Sequence, residues 1–137
     1  MIVDGTDMLL GRLASFVATQ AQLGKKVDIV NCEKIVISGN KDRIYSDYIA
    51  KKQMGSSTKG PFFFRVPEKF VRRSIRGMLP YKGHHGKIAY ARIKCHRGVP
   101  EQFAQHKPTV FEDAHLKRLQ IMRYATVEDV CKIIGGK

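Results

Sequence analysis

Four cations recur at helical spacing in the middle of the chain. They lie at positions i, i+3, i+4 and i+7, as Lys69, Arg72, Arg73 and Arg76. At about 100° per residue these positions form one stripe along a helix. No acidic residue stands between them, so the cations repel one another and favour a partner of opposite charge. Arginine is suited to forked contacts with phosphate, which makes nucleic acid the first candidate.

The helix that carries this stripe has recognisable ends. Pro67 suits a first helical turn, and Gly77 and Pro80 bracket the end. The opposite side of the helix is apolar and is predicted to pack in the core, through Val71, Ile75, Met78 and Leu79.

Segments on both sides of this helix add basic, histidine and aromatic residues. With the stripe they form the predicted RNA-binding set: Lys51, Lys52, Lys59, Arg65, Lys69, Arg72, Arg73, Arg76, Tyr81, Lys82, His84, His85, Lys87 and Arg92. Glycines in these loops let backbone amides approach phosphates closely. Tyr81 could stack on an unpaired base. The run Phe62, Phe63 and Phe64 could do the same, but we expect it to pack in the core.

The net charge of the chain is concentrated in the same region. There are 25 Lys+Arg against 12 Asp+Glu among 137 residues, a formal net charge of +13. Residues 40–97 hold fifteen basic and three acidic residues, a net +12. A surface adapted only for solubility would mix both signs. This segregation predicts a binding surface on about residues 40–97, carried by a near-neutral scaffold.

Signatures of catalysis and of metal binding are missing from the sequence. Three isolated cysteines form no CxxC pair, which indicates reduced thiols in a cytoplasmic protein. Adjacent residues rarely chelate one ion together, so we expect no metal at His84 and His85. Residues 83–87 (GHHGK) lack the spacing and the Ser or Thr of a Walker loop. We therefore expect no cofactor, no small-molecule substrate and no enzyme; a nucleotide-using α/β enzyme is the alternative.

Membrane association is not expected either. The N-terminus has no basic region followed by a long apolar run, as a signal peptide would. No stretch approaches the roughly 18 apolar residues that span a bilayer. No basic amphipathic helix presents bulky aromatic residues on its apolar side.

The strands and helices that carry these residues can be predicted from the sequence. Strands are predicted at residues 2–4, 27–31, 35–38 and 94–96. Helices are predicted from a cap at Thr6 or Asp7 to Gly24, from Asn40 to near Gly55, from Pro67 to an end between Gly77 and Pro80, over 87–93 and over 126–134. The strand–helix–strand start predicts parallel strands with a right-handed crossover. This order favours an α/β layered fold, and the length suits a single domain over residues 1–137.

Four segments carry a resemblance to a known family. Residues 10–15 (LGRLAS) and 30–40 (VNCEKIVISGN) resemble the family of ribosomal protein thirteen of the large subunit. Residues 60–64 (GPFFF) and 76–82 (RGMLPYK) resemble its archaeal and eukaryotic branch. The resemblance runs from Ile2 to about Pro100. Tyr81 stands where the family pattern is expected to have His.

This resemblance has implications for fold and function. It implies a three-layer α/β/α domain with a mainly parallel four-stranded sheet. It also implies a structural constituent of the large ribosomal subunit that binds large-subunit ribosomal RNA, contacts neighbouring large-subunit proteins and supports assembly and translation in the cytoplasm. Catalysis is not implied.

Overall fold

The chain begins with a strand–helix–strand unit whose strands are parallel, as predicted. In the computed structural model, which describes residues 1–136, the unit consists of β1 (Ile2–Asp4), α1 (Leu10–Gln22) and β2 (Val27–Val30). A third parallel strand, β4 (Ile93–Cys95), pairs with the other edge of β2. The central strand β2 is almost entirely buried, in keeping with its run of β-branched residues.

Helix α1 buries a stripe of small and aliphatic side chains at helical spacing: Leu13, Ala14, Val17, Ala18 and Ala21. Gly24 follows the helix with φ +94, which a residue with a side chain rarely adopts. The prediction that Thr6 or Asp7 caps α1 is wrong. The helix begins at Leu10 without a side-chain cap, and the hydroxyl of Thr6 donates to Asp4 Oδ1 at 2.8 Å instead.

A second, antiparallel sheet consists of β3 (Val36–Ser38) and β5 (Tyr124–Thr126). The α/β class is confirmed, but the single four-stranded sheet is wrong, since the described residues form three parallel and two antiparallel strands. Asn31, in a left-handed conformation with φ +55, and the 3-10 turn Cys32–Lys34 lead β3 away from β2. The three-layer arrangement stays a prediction.

Four further helices complete the fold. Helix α2 (Lys41–Gln53) is capped as predicted by Asn40, whose side chain accepts from the amide of Asp42 at 3.2 Å. Helix α3 (Pro67–Gly77) begins at Pro67, as predicted, and ends at Gly77, at the near limit of the interval predicted for its end. Helix α4 (His84–Ala91) begins three residues earlier than predicted, so residues 84–86, which were expected to belong to the preceding loop, are helical. Helix α5 (Val127–Ile133) is capped by Thr126.

Helix α3 is held in the core by its apolar side. Phe70, Val71 and Ile75 are buried, and α3 packs against α1, α5 and β4. Leu79 is buried as predicted, but Met78 is 43% exposed, so its assignment to the core is wrong. The hydroxyl of Ser15 on α1 contacts the Met78 sulfur at 3.5 Å. Among residues 1–136, no helix is long and apolar enough to cross a bilayer.

Candidate nucleic-acid interface

The predicted RNA-binding residues come from one continuous stretch of the chain. They lie in the last turn of α2, in the loop before α3, on α3, in the loop before α4, and on α4 with its C-cap. Ten are exposed: Lys51, Lys52, Lys59, Arg65, Lys69, Tyr81, Lys82, His84, His85 and Lys87. The other four are half-buried: Arg72, Arg73, Arg76 and Arg92.

The cations of the α3 stripe lie over aromatic rings. The Arg73 guanidinium carbon is 4.8 Å from the ring centre of Phe63 and 5.9 Å from that of Phe64. Lys69 Nζ lies 6.0 Å from the centre of the Phe64 ring. Each such contact contributes about 0.5–1 kcal/mol at an exposed site. The stripe is thus ordered by neighbouring rings rather than by carboxylates.

Arg73 also holds the loop before α3, which carries Phe62, Phe63 and Phe64, against the helix. Its Nη1 donates to the carbonyl oxygen of Phe62 at 2.7 Å, eleven residues earlier in the chain. The loop therefore lies along the cationic side of α3. Phe62 is 65% exposed and Phe64 is 44% exposed, so the expectation that the Phe run packs in the core is wrong. In an extended segment alternate side chains face opposite ways, so three consecutive rings cannot all face inward.

A second cluster joins α3 to α4. The Arg72 guanidinium lies 4.3 Å from the ring centre of Tyr90, and that of Arg76 lies 5.0 Å from the ring centre of Tyr81. The two tyrosine rings meet edge to face with centres 5.6 Å apart. Because Tyr81 is near the middle of this cluster, the loop that carries Lys82 is placed beside the stripe.

Two side chains of the predicted RNA-binding set, Arg72 and Arg92, form contacts within the protein itself. Arg92 Nη1 donates to the carbonyl oxygen of Ala21 at 3.2 Å, near the C-terminal end of α1. Arg72 Nη2 lies 3.5 Å from the carbonyl oxygen of Tyr90, and Arg72 Nε is buried without a partner among the described residues. A cation near a helix C-terminus is stabilised by the helix dipole. These two side chains contribute to structure as well as to charge.

The remaining cations of the predicted set are not neutralised. Among residues 1–136, the ion pairs of Arg and Lys join Arg97 and Lys132 to Glu128, and Arg118 to Asp113. None of these involves a residue of the predicted set. The surface from α2 to α4 therefore carries a positive charge that an external polyanion would neutralise.

Two of the three thiols are held in the protonated form. Burial raises the pKa of Cys131 to about 11, and the charge of Glu68 adds to this effect. Hydrogen bonding to Cys95, together with burial, raises the pKa of Cys32. Thiolate is the reactive form, so both groups stay unreactive near neutral pH. Within the described residues, no group of three or more His, Cys, Asp or Glu lies close enough together to hold a metal ion.

Comparison with known proteins decides the family. Residues 1–102 match the family model described as ribosomal protein L13. The chain belongs to the ribosomal protein L13 family. This confirms the resemblance seen in the sequence, and also the prediction that the chain is not an enzyme, since the family is one of ribosomal proteins.

Individual relatives of the L13 family extend the match into the C-terminal part. The large ribosomal subunit protein uL13 of Methanococcoides burtonii is 38% identical over 136 residues, which cover 99% of this chain and 98% of the relative. The protein of the same name from Archaeoglobus fulgidus is 37% identical over 135 residues, covering 98% of this chain and 86% of the relative. That from Methanosarcina barkeri is 36% identical over 137 residues.

Proposed function

We propose that the chain is a structural protein of the large ribosomal subunit that binds large-subunit ribosomal RNA through residues 40–97. Membership of the L13 family supports the ribosomal assignment and implies neighbouring large-subunit proteins as further partners. The observation that carries the RNA assignment is the set of exposed cations from α2 to α4, none of which forms an ion pair within residues 1–136. By binding RNA there, the chain supports assembly of the subunit and translation.

The exposed lysines supply the electrostatic part of this binding. Lys51, Lys69 and Lys82 lie on α2, on α3 and in the loop before α4, so together they span the surface. Phosphate contacts of this kind position a protein on RNA without reading its sequence. Each neutralised phosphate releases counterions, so the affinity depends steeply on salt concentration.

The salt dependence of binding tests this proposal. If about eight contacts form with large-subunit ribosomal RNA, log K falls with log salt at a slope of roughly −6 to −7. Changing Lys69 and Lys82 to Ala removes two of these contacts and lowers the magnitude of the slope by about 1.5 to 2. Filter binding from low to moderate salt measures both slopes.

A second double variant, with the same loss of charge, serves as the control. Lys107 and Lys117 are exposed as well, but they lie outside residues 40–97. Changing both to Ala removes the same charge and should leave the slope nearly unchanged. A slope near zero for the unmodified protein, or equal losses in the two double variants, would contradict the proposal.

A further inference from the structure

We propose that the cleft between α2, the Phe loop and α3 is a pocket for one unpaired RNA base. This inference rests on the proposed function and adds a second kind of contact to it. The cationic surface would hold phosphates of any sequence, whereas the cleft would take a base that has left the helical stack. Here the Phe loop means residues 61–66.

The cleft is lined mainly by aromatic and cationic side chains. Its volume is about 260 Å³, and it is bounded by Tyr48, Lys51, Phe63, Phe64, Phe70, Arg73, Ser74 and Gly77. Tyr48 and Phe70 form one wall, with ring centres 5.4 Å apart. Phe63 and Phe64 come from the Phe loop on the other side. Every base has an aromatic face, so such walls hold bases by stacking.

The rings of the Phe loop are placed for contact outside the core. Phe64, which borders the cleft, is 44% exposed, and Phe62 two residues earlier is 65% exposed. Exposing two such rings leaves apolar surface in water, which folding alone would avoid. Yet the loop is held in this position by the 2.7 Å hydrogen bond from Arg73 to Phe62. The rings are therefore ordered before any ligand arrives, which lowers the entropic cost of binding.

The charges at the cleft fit a nucleotide rather than an apolar peptide. Lys51 Nζ lies 5.0 Å from the ring centre of Tyr48, and Arg73 covers Phe63 at 4.8 Å. Lys69 stands beside Phe64. A base stacked on these rings, or on the guanidinium plane of Arg73, would place its phosphates among three cations. An apolar segment would leave the same cations without a counter-charge.

Two substitutions close or remove the pocket by different routes. Phe64→Ala removes one wall. Gly77 borders the cleft, and a Cβ there would meet nothing within 4 Å, so Gly77→Leu can be accommodated without loss of an existing side chain and is expected to narrow the cleft from α3. Gly11→Leu is the matched control, since Gly11 is also an exposed helical glycine with nothing within 4 Å but lies on α1, outside the cleft.

The probe is an RNA duplex with one bulged 2-aminopurine, compared with the same duplex fully paired. The unmodified protein should bind the bulged RNA more tightly by about five- to 150-fold, as expected for one stacked base. The 2-aminopurine fluorescence should fall on binding. In Phe64→Ala and Gly77→Leu the preference should drop to nearly one, while the affinity for the paired duplex and its salt slope stay within about twofold of the original. Gly11→Leu should keep the full preference.

The outcomes separate the pocket from the RNA-binding surface. If the protein binds both RNAs with a steep salt slope but without preference, the pocket is disproved and the proposed function stands. If Gly77→Leu keeps the preference, the pocket is also disproved, even where Phe64→Ala disturbs folding. If neither RNA is bound in a salt-dependent way, the proposed function fails, and the pocket fails with it.

Discussion

The arginines of the α3 stripe differ in what their side chains contact. Arg73 and Arg76 lie over rings of the loops on either side of α3. Arg72 instead lies over Tyr90, at the end of α4, with its Nε buried. A cation in such a partly desolvated place gains more from the ring than an exposed one. Arg72 is thus expected to matter more for stability than for binding.

Changing Arg72 to Ala should therefore lower the free energy of unfolding. Loss of the stacked guanidinium should cost about 1–2 kcal/mol. The salt slope of RNA binding should change little. Lys69→Ala is the contrasting variant, because Lys69 is exposed and lies 6.0 Å from the Phe64 ring centre: it should reduce the slope and lower the unfolding free energy by about 0.5 kcal/mol, less than Arg72→Ala does. Urea denaturation measures the unfolding free energy, and filter binding measures the salt slope. A reduced slope in Arg72→Ala together with a larger loss of stability in Lys69→Ala would contradict these assignments.

Spacing alone predicted the helix that carries four of the candidate RNA-binding residues. The interval pattern from Lys69 to Arg76 is enough to place four cations on one side of a helix. It could not show that Arg72 and Arg92 face the protein. Their partners are the carbonyl oxygens of Tyr90 and Ala21, which are 18 and 71 residues away. Contacts at such separation depend on how the helices pack, and no local pattern records them.

Among the elements, the junction between α3 and α4 sets the position of the predicted RNA-binding residues that lie after α3, in the loop before α4 and on α4. Helix α4 approaches the preceding loop through Gly86, where a Cβ would be only 2.1 Å from the carbonyl oxygen of Pro80. Glycine is needed here for close approach rather than for an unusual φ. The contact sets the position of Tyr81 and Lys82 relative to α3.

Gly86→Ala is expected to push α4 away from this loop. Overpacking at a closed contact costs about 1–3 kcal/mol, although alanine is the better helix former by about 1 kcal/mol. The net effect should be a lower melting temperature and weaker RNA binding. Gly77→Ala, in open space at the end of α3, is the control and should not destabilise the fold. A Gly86→Ala protein as stable as the original would show that the contact is not required.

Elements with strong local signals were predicted well, and those set by distant contacts were not. Asn40 and Pro67 mark the starts of α2 and α3 in the sequence, and both helices begin as expected. Strand β5 was missed because its three residues precede α5 directly and carry no alternating pattern. Its partner β3 was found as a strand but given the wrong sheet, because Asn31 redirects the chain through a conformation that the sequence does not announce.

In the whole molecule, the net charge is concentrated in one part of the chain, whereas the buried core is drawn from nearly all of it. The buried core includes residues of α1, the parallel sheet, α3 and α5, whereas residues 40–97 alone carry +12 of the net charge of +13. A molecule with this asymmetry is attracted to a polyanion and oriented as it approaches. The +12 excess of residues 40–97 was readable from composition, but the way the Phe loop lies across α3 was not.

RNA is expected to cover the side of the molecule that carries the lysines of α2, α3, α4 and the loops between them. Lysine acetylation, compared between the free protein and the protein bound to protein-free large-subunit ribosomal RNA, tests this most directly. Six lysines should become protected: Lys51, Lys52, Lys59, Lys69, Lys82 and Lys87. Lys107 and Lys117 should stay reactive, since they are exposed outside the surface. Continued reactivity of the six lysines in the complex, with protection of Lys107 and Lys117 instead, would contradict the account.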